Sequence, residues 1–371
     1  MKVCHALTIF SISLAVSACN PAPDPETGKG FLEDQHRTGN FQTNPLKEFS
    51  DPRWTFTADG EIESSPVVWE GDVLFGAGDN KIYSLDKITG HENWHYETDG
   101  QVQSTPWIQG ERLYCGSHDG KLYVLNASDG TEKWKFESGA PIASSPLVVN
   151  DIVYFGNNDG EIYALDALKG TEKWKFQAGD RVVSSPASDG DLIFAGSNDG
   201  NLYALDANSG EKVWKFGTEG IISSTPAIYE DMVIFGGFKD EGSEFLYILN
   251  KDDGELIEKF EHSRGITSSP AVKDGIVYFL TFDELYALDL DEMEVIWGFS
   301  PGEGGFFSSP VVAGDVVYYL SVNGGLFAVD TENAEHLWGY RTGGVLEYAT
   351  PAVDEKMVYV ASVDGTLYAL Y

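Results

Sequence analysis

The stretch Val153-Tyr154-Phe155-Gly156-Asn157-Asn158-Asp159-Gly160-Glu161-Ile162-Tyr163-Ala164-Leu165-Asp166-Ala167-Leu168-Lys169-Gly170-Thr171-Glu172-Lys173-Trp174-Lys175-Phe176 decides the fold. Two short apolar runs flank Asn158-Asp159-Gly160, a hairpin sequence because glycine accepts positive φ. Gly170 marks a second tight turn, and Trp174-Lys175-Phe176 forms a further run beyond it. Ser144-Ser145-Pro146 stands ahead of the first run. The unit therefore predicts four short antiparallel strands. No segment keeps a 3.6-residue apolar period, so helix is not expected.

This unit recurs along the chain. The proline of its Ser-Ser-Pro or Ser-Thr-Pro step stands at 66, 106, 146, 186, 226, 270, 310 and 351, with steps of 40, 40, 40, 40, 44, 40 and 41 residues. These steps are expected on the innermost strands, where small residues fit a crowded channel. Tryptophan recurs at Trp54, Trp94, Trp134, Trp174, Trp214, Trp297 and Trp338, with Phe260 read as its replacement in one unit. Four-stranded units at this period build a β-propeller. The last copy, Leu367 to Tyr371, is a third strand, whereas Trp54-Thr55-Phe56 is a fourth strand with no unit of its own. Pairing the two removes open sheet edges. The expectation is an all-β fold: a single eight-bladed β-propeller of four-stranded antiparallel blades, its N-terminal strand closing the last blade. Each tryptophan should dock between blades, where burying about 150–250 Å² contributes at most roughly 4–6 kcal/mol.

Charge narrows the partners. Against 24 Lys plus Arg stand 59 Asp plus Glu, a net of -35, and such a surface repels phosphate backbones, which argues against nucleic acid. Of three cysteines, Cys115 alone falls in the repeats and reads as a buried, inert thiol. The seven histidines show no metal-ligand spacing, and neither a nucleophile turn nor a phosphate loop is present. The repeated Asp-Gly turns, such as Asp159-Gly160, lie on separate units and do not converge on the six to eight oxygens calcium needs. No catalytic residue and no metal ligand is assigned.

The N-terminus reads as a targeting segment. Residues 1–18 have Lys2, then an apolar run from Ala6 to Val16 that is too short to span a bilayer. Val16-Ser17-Ala18-Cys19 resembles the lipobox of bacterial lipoproteins, which implies lipidation of Cys19. Residue 20 is Asn rather than Asp, which by the same resemblance favours the outer membrane, facing the periplasm. Residues 19–50, with Pro21, Pro23, Pro25, Gly28, Gly30 and Pro45, read as a lipidated flexible tether, and 51–371 as the propeller.

Function is expected where the repeats differ. Just before the Ser-Ser step stand Glu63, Gln103, Ala143, Val183, Ser223, Thr267, Phe307 and Tyr348. In this alignment Glu61, Glu63, Gln101, Gln103 and Arg181 form a polar arc at the channel mouth, facing Phe306, Phe307 and Tyr348. Polar groups opposite aromatics can hold a small ligand or a peptide. The stretch from Phe238 to Glu244 lengthens one unit and reads as a charged, protruding hairpin.

Leu202-Tyr203-Ala204-Leu205-Asp206, then Gly210, then Trp214-Lys215-Phe216, resembles the PQQ-type propeller repeat. The resemblance spans residues 54–371. Two branches of such propellers bear on function. Quinoprotein dehydrogenases hold pyrroloquinoline quinone and Ca²⁺ over the axis and carry adjacent cysteines there, whereas this chain has no Cys-Cys pair. The size, the lipobox and the closure resemble the BamB family of outer-membrane assembly lipoproteins, although the stretch Gly217 to Ser223 is shorter than that family's partner-binding loop. The resemblance to the second branch implies a non-catalytic, membrane-anchored scaffold without cofactor, monomeric within a complex of envelope proteins; the first branch gives the alternative, a propeller that binds pyrroloquinoline quinone with Ca²⁺ or another small ligand in a redox or sensory role, as a quinoprotein-type dehydrogenase if it is an enzyme. The barrel assembly machinery is the implied partner.

Overall fold

The computed structural model describes residues 28–49, 51–218, 220–239, 243–262, 266, 268–302, 305, 308–346, 348–355 and 357–371. Cys19 and the segment 1–18 lie outside the described residues, as do Thr267, Phe306 and Phe307.

The apolar runs form strands because both of their faces are covered. Within Ile162–Leu165 every residue is buried, since neighbouring blades pack on either side of each sheet. Eight sheets result, each with four antiparallel blade strands. Blades 1 to 7 cover residues 67–97, 107–137, 147–177, 187–217, 227–262, 271–299 and 311–341, with strands in sequence order from axis to rim. Blade 8 takes its three inner strands from 352–370 and its outer strand from Pro52–Thr57, with Trp54 opposite Ala369 and Phe56 opposite Leu367. This is the expected eight-bladed closed ring. Among the described residues there is no helix.

Each hairpin glycine earns its place by geometry. Gly160 has φ +81° in the Asn-Asp-Gly turn. Gly170 has φ +70°, and a Cβ there would lie 2.6 Å from the Trp134 ring. The tryptophan of one blade thus lies flat on the turn of the next. Its Nε1 donates to a carbonyl in that turn: Trp54 to Lys87 (3.1 Å), Trp94 to Ala127 (3.1 Å), Trp174 to Ala207 (3.0 Å), Trp214 to Lys251 (2.9 Å) and Trp297 to Thr331 (3.1 Å). At Trp134 the equivalent carbonyl, Ala167 O, accepts the Tyr114 hydroxyl at 3.0 Å, and Trp134 Nε1 is left without a partner.

Two expectations need correction. Phe260 does not replace tryptophan: it lies opposite Leu246, as Phe216 lies opposite Leu202, and Glu258 occupies the tryptophan register opposite Ile248. Phe260 stands two residues beyond the tryptophan register; the 44-residue step of blade 5, whose longer hairpin pairs Met232–Lys239 with Ser243–Asn250, carries that register from Trp214 to Glu258.

The second correction is larger. Residues 28–49 are not a free tether but a strap laid across one end of the propeller. Lys29 exchanges backbone hydrogen bonds with Ile108 (2.7 and 2.6 Å) in blade 2. The strap's carbonyls at Gln35, His36, Thr38 and Gly39 then accept N–H groups from Ser188, Ile228, Val272 and Val312, on blades 4 to 7 in turn. Asn40–Phe41 pairs in parallel with Val312 and Ala313. Leu32, Phe41 and Leu46 are buried. At the seam between blades 7 and 8, Leu46 O accepts Trp338 Nε1 at 2.7 Å and the Tyr318 hydroxyl at 3.0 Å, where five other seams use a blade turn. Proline and glycine gave this segment a linker's composition, yet its inner-strand contacts and three buried apolar anchors hold it.

Candidate functional site: a blind axial cavity

The Ser-Ser-Pro steps converge on the axis, as their place at the start of each inner strand requires. The first hydroxyl of each pair works within its blade: Ser104, Ser144, Ser184 and Ser224 accept the N–H of Gly116, Gly156, Gly196 and Gly236 at 2.8–3.2 Å. The second works between blades. Ser65 N–H donates to Thr105 Oγ1 (2.9 Å), Thr105 N–H to Ser145 Oγ (3.0 Å), and Ser145 N–H to Ser185 Oγ (2.9 Å). The series runs on through Thr225, Ser269 and Ser309, and Thr350 N–H donates to Ser65 Oγ at 2.9 Å. Seven links therefore circle the axis, and the buried Thr350 Oγ1 is without a partner. These residues are chosen for their hydroxyl as well as their size.

Above this ring opens a cavity of about 510 Å³. Its walls carry the second-position hydroxyls, and above them Glu63, Gln103, Ala143, Val183, Ser223 and Tyr348. Its floor includes Phe31 of the strap. Beneath Phe31 lies Arg37, fully buried. The guanidinium donates from Nε to Pro186 O (3.0 Å), from Nη1 to Phe31 O, and from Nη2 to Pro146 O (2.8 Å) and Ser145 O (3.3 Å). It also sits 5.1 Å from the Trp107 ring centroid. Burial lowers its pKa to about 9, opposed by the nearby Asp34 charge, so the group stays cationic at neutral pH. Four carbonyl contacts and an aromatic face replace its water.

The structure brings some of the predicted site residues together and separates others. Glu63, Gln103 and Tyr348 line the cavity, and the Gln103 amide donates to the Glu63 carboxylate. Glu61 and Gln101 lie in a small notch beside them, with Gly78 and Val102. Arg181 is exposed and outside the cavity wall, its N–H bonded to Asp180 Oδ1 at 2.7 Å. Tyr348 does not face Glu63 across the mouth. Ring closure makes blades 8 and 1 neighbours, so Tyr348, Glu63 and Gln103 form one continuous arc, and Ala143 and Val183 continue the wall on blades 3 and 4. Phe31 and Arg37 were missed because they stand in the segment read as a linker. The signal present there was the spacing of Phe31, Leu32, Phe41, Leu46 and Phe49.

The donor set tests whether a quinone and calcium fit. Pyrroloquinoline quinone is a polycarboxylate and calcium needs several oxygens at one point. The described cavity wall offers one carboxylate, already bonded to an amide, and no cationic side chain. No group of three or more His, Cys, Asp or Glu is placed to hold a metal among the described residues. These residues do not fit the pair, and no chemistry is derived through them. Cys115 is fully buried, and burial pushes its thiol up to about 12, which leaves it unreactive.

Comparisons with known proteins agree with the architecture. No curated protein matches the chain. Among solved structures, BamB from Moraxella catarrhalis superposes with a TM-score of 0.73 at 18% identity, covering 86% of this chain and 99% of that one. A europium-containing methanol dehydrogenase gives 0.77 at 14% identity, covering 94% and 98%. Quinohemoprotein alcohol dehydrogenase from Comamonas testosteroni gives 0.77 at 15% identity, covering 94% and 80%. At such identities these likenesses show the fold alone. The family model described as outer membrane protein assembly factor BamB matches residues 48–108, 101–215, 158–245 and 242–371, and by that match the chain belongs to the BamB family of PQQ-repeat propellers.

Proposed function

We propose that the protein is a non-catalytic scaffold, lipid-anchored at Cys19 in the outer membrane, that docks an envelope protein on the mouth face of its propeller. The observation that carries this reading is the asymmetry of the two ends. One end is covered by the strap, whereas the other surrounds an open cavity and displays Ile221, Phe282, Val345 and Tyr348 as exposed apolar side chains on its turns. Apolar side chains around a concave opening give a partner area to bury about the centre of a contact. The strap leads back toward Cys19 from its bridge at Lys29. Nine residue-to-residue steps lead from Cys19 to Gly28, a reach of at most about 30 Å, so lipidation at Cys19 holds the strapped end near the membrane and turns the mouth away from it. Membership of the BamB family supports outer-membrane protein assembly as the setting, with the barrel assembly machinery as partner.

The test is capture of the lipidated protein from envelope membranes under mild extraction, with and without Tyr348→Ser and Phe282→Ser. Recovery of the assembly machinery's barrel protein, reduced by those changes, supports the reading; its absence rejects it. A second reading, a small-ligand receptor of redox or sensory type, is favoured by the 510 Å³ cavity itself. Titration with pyrroloquinoline quinone and Ca²⁺ separates the two. A stoichiometric absorbance shift and a raised melting temperature would replace the scaffold reading.

A further inference from the structure

The outer strand of every blade carries a bulge just before the tryptophan register, and the extra residue is exposed in all but blade 7, where Leu337 is half-buried against the core. In blades 8, 1, 2 and 3 that residue is Arg53, Asn93, Lys133 and Lys173, all exposed and polar. In the next three blades it is Val213, Ile257 and Ile296, exposed by 52%, 42% and 50%. One position earlier, blades 5 and 6 add Leu256 (44%) and Val295 (47%), where blades 1 to 3 have glutamate. The aliphatics concentrate at the seam between blades 5 and 6, the seam where Glu258 stands in the tryptophan register.

Charge at this seam points to the occupant. Exposed Glu255 and Glu294 precede the two aliphatic pairs. The nearest lysines are engaged elsewhere: Lys251 pairs with Asp189 at 2.8 Å, and Lys259 Nζ lies 3.5 Å above the centre of the Phe245 ring. Both strands are blade edges, with one side of the backbone unpaired. An extended chain can add to such an edge through main-chain bonds, while its side chains meet the apolar and acidic groups.

We propose that the outer edge of blades 5 and 6 is a docking site for an extended segment of a partner protein in which aliphatic residues alternate with lysine or arginine. The site is separate from the mouth face and stands or falls apart from it. The probe is a labelled, end-blocked (Lys-Val)5 peptide, titrated by fluorescence anisotropy against the full chain. The charge-neutral variant Ile257→Ser/Ile296→Ser should weaken binding at least tenfold, about 1.4 kcal/mol. Asn93→Ser/Thr131→Ser, on the far side of the ring, should change it less than twofold, and Tyr348→Ser should leave it unchanged. A (Glu-Val)5 peptide should not bind. Thermal melting of each variant shows that folding is intact, and a photo-crosslinker at Ile257 should capture the peptide when one at Asn93 does not. Equal affinity of wild type and Ile257→Ser/Ile296→Ser would overturn the proposal. So would sedimentation showing that the stripe is buried between two copies of this chain.

Discussion

Two seams of the same ring are built differently. Between blades 3 and 4, Trp174 is buried against the turn of its neighbour, where Gly210 has φ +73° and a Cβ would lie 2.6 Å from the indole. Between blades 5 and 6, Glu258 takes the tryptophan register and the equivalent turn residue is Met293, at φ +53°. Met293 packs partly buried in the cluster that includes Phe260. The two positions change together for a steric reason. A flat indole needs a turn without a side chain, and once the indole is gone a methionine fills the space, even at a φ that L-residues rarely adopt. The seam between blades 6 and 7 is intermediate, with Trp297 beside Ala334 at φ +59°.

The largest expected effect tests the regular seam. Trp174→Ala should cost about 3–5 kcal/mol in denaturant unfolding, because it opens a cavity on both sides of the contact. Glu258→Trp comes next, at about 1–3 kcal/mol from overpacking against Met293. Adding Met293→Gly should recover most of that loss, and a coupling energy of about 0.5–3 kcal/mol in the double-mutant cycle would show that the pair acts as a unit. Purely additive effects would break the comparison.

Tyr114→Phe should cost about 1 kcal/mol, because the buried Ala167 carbonyl loses its 3.0 Å donor. It also has a pH signature. Burial holds Tyr114 up at about 12, against 10.0 when exposed. The hydroxyl's contribution is therefore complete below pH 10 and is lost as pH climbs toward 12, since the unfolded chain releases the proton first. Urea midpoints measured from pH 9 to 12 should fall less steeply for the variant. The smallest effect is Glu258→Ala, expected within about 0.5 kcal/mol, and a loss as large as that of Trp174→Ala would mean that the exceptional seam is locked after all.

The fold was legible because its signals repeat. Eight copies of one step, and the orphan strand at Trp54, leave little choice of topology. The site was legible only where it lies on the repeats. Glu63, Gln103 and Tyr348 were placed at the mouth by counting from each proline, whereas the opposition of Tyr348 to Glu63 failed because linear order hides that blade 8 adjoins blade 1. Arg181 failed for a different reason: it lies three residues before its Ser-Ser step, outside the wall, where Val183 lines the cavity instead. The strap was illegible because its stability comes from hydrogen bonds to seven separate blades, 2 through 8, none of which leaves a periodic mark on residues 28–49. Phe260 was misread because it is the aromatic nearest the tryptophan register, which counting back from Pro270 places two residues earlier, at Glu258.

The pairing of Trp54 with Ala369 also carries a cost in time. A strand made early waits for partners made about 300 residues later, and contacts of that span form slowly. While the chain is still emerging, the blade-8 edges and the strap have nothing to bind, and they are the surfaces most open to wrong pairing. A protein of this design should depend on a holding factor until its last strand arrives, and a circular permutant that begins at the turn before Val67 should depend on it least.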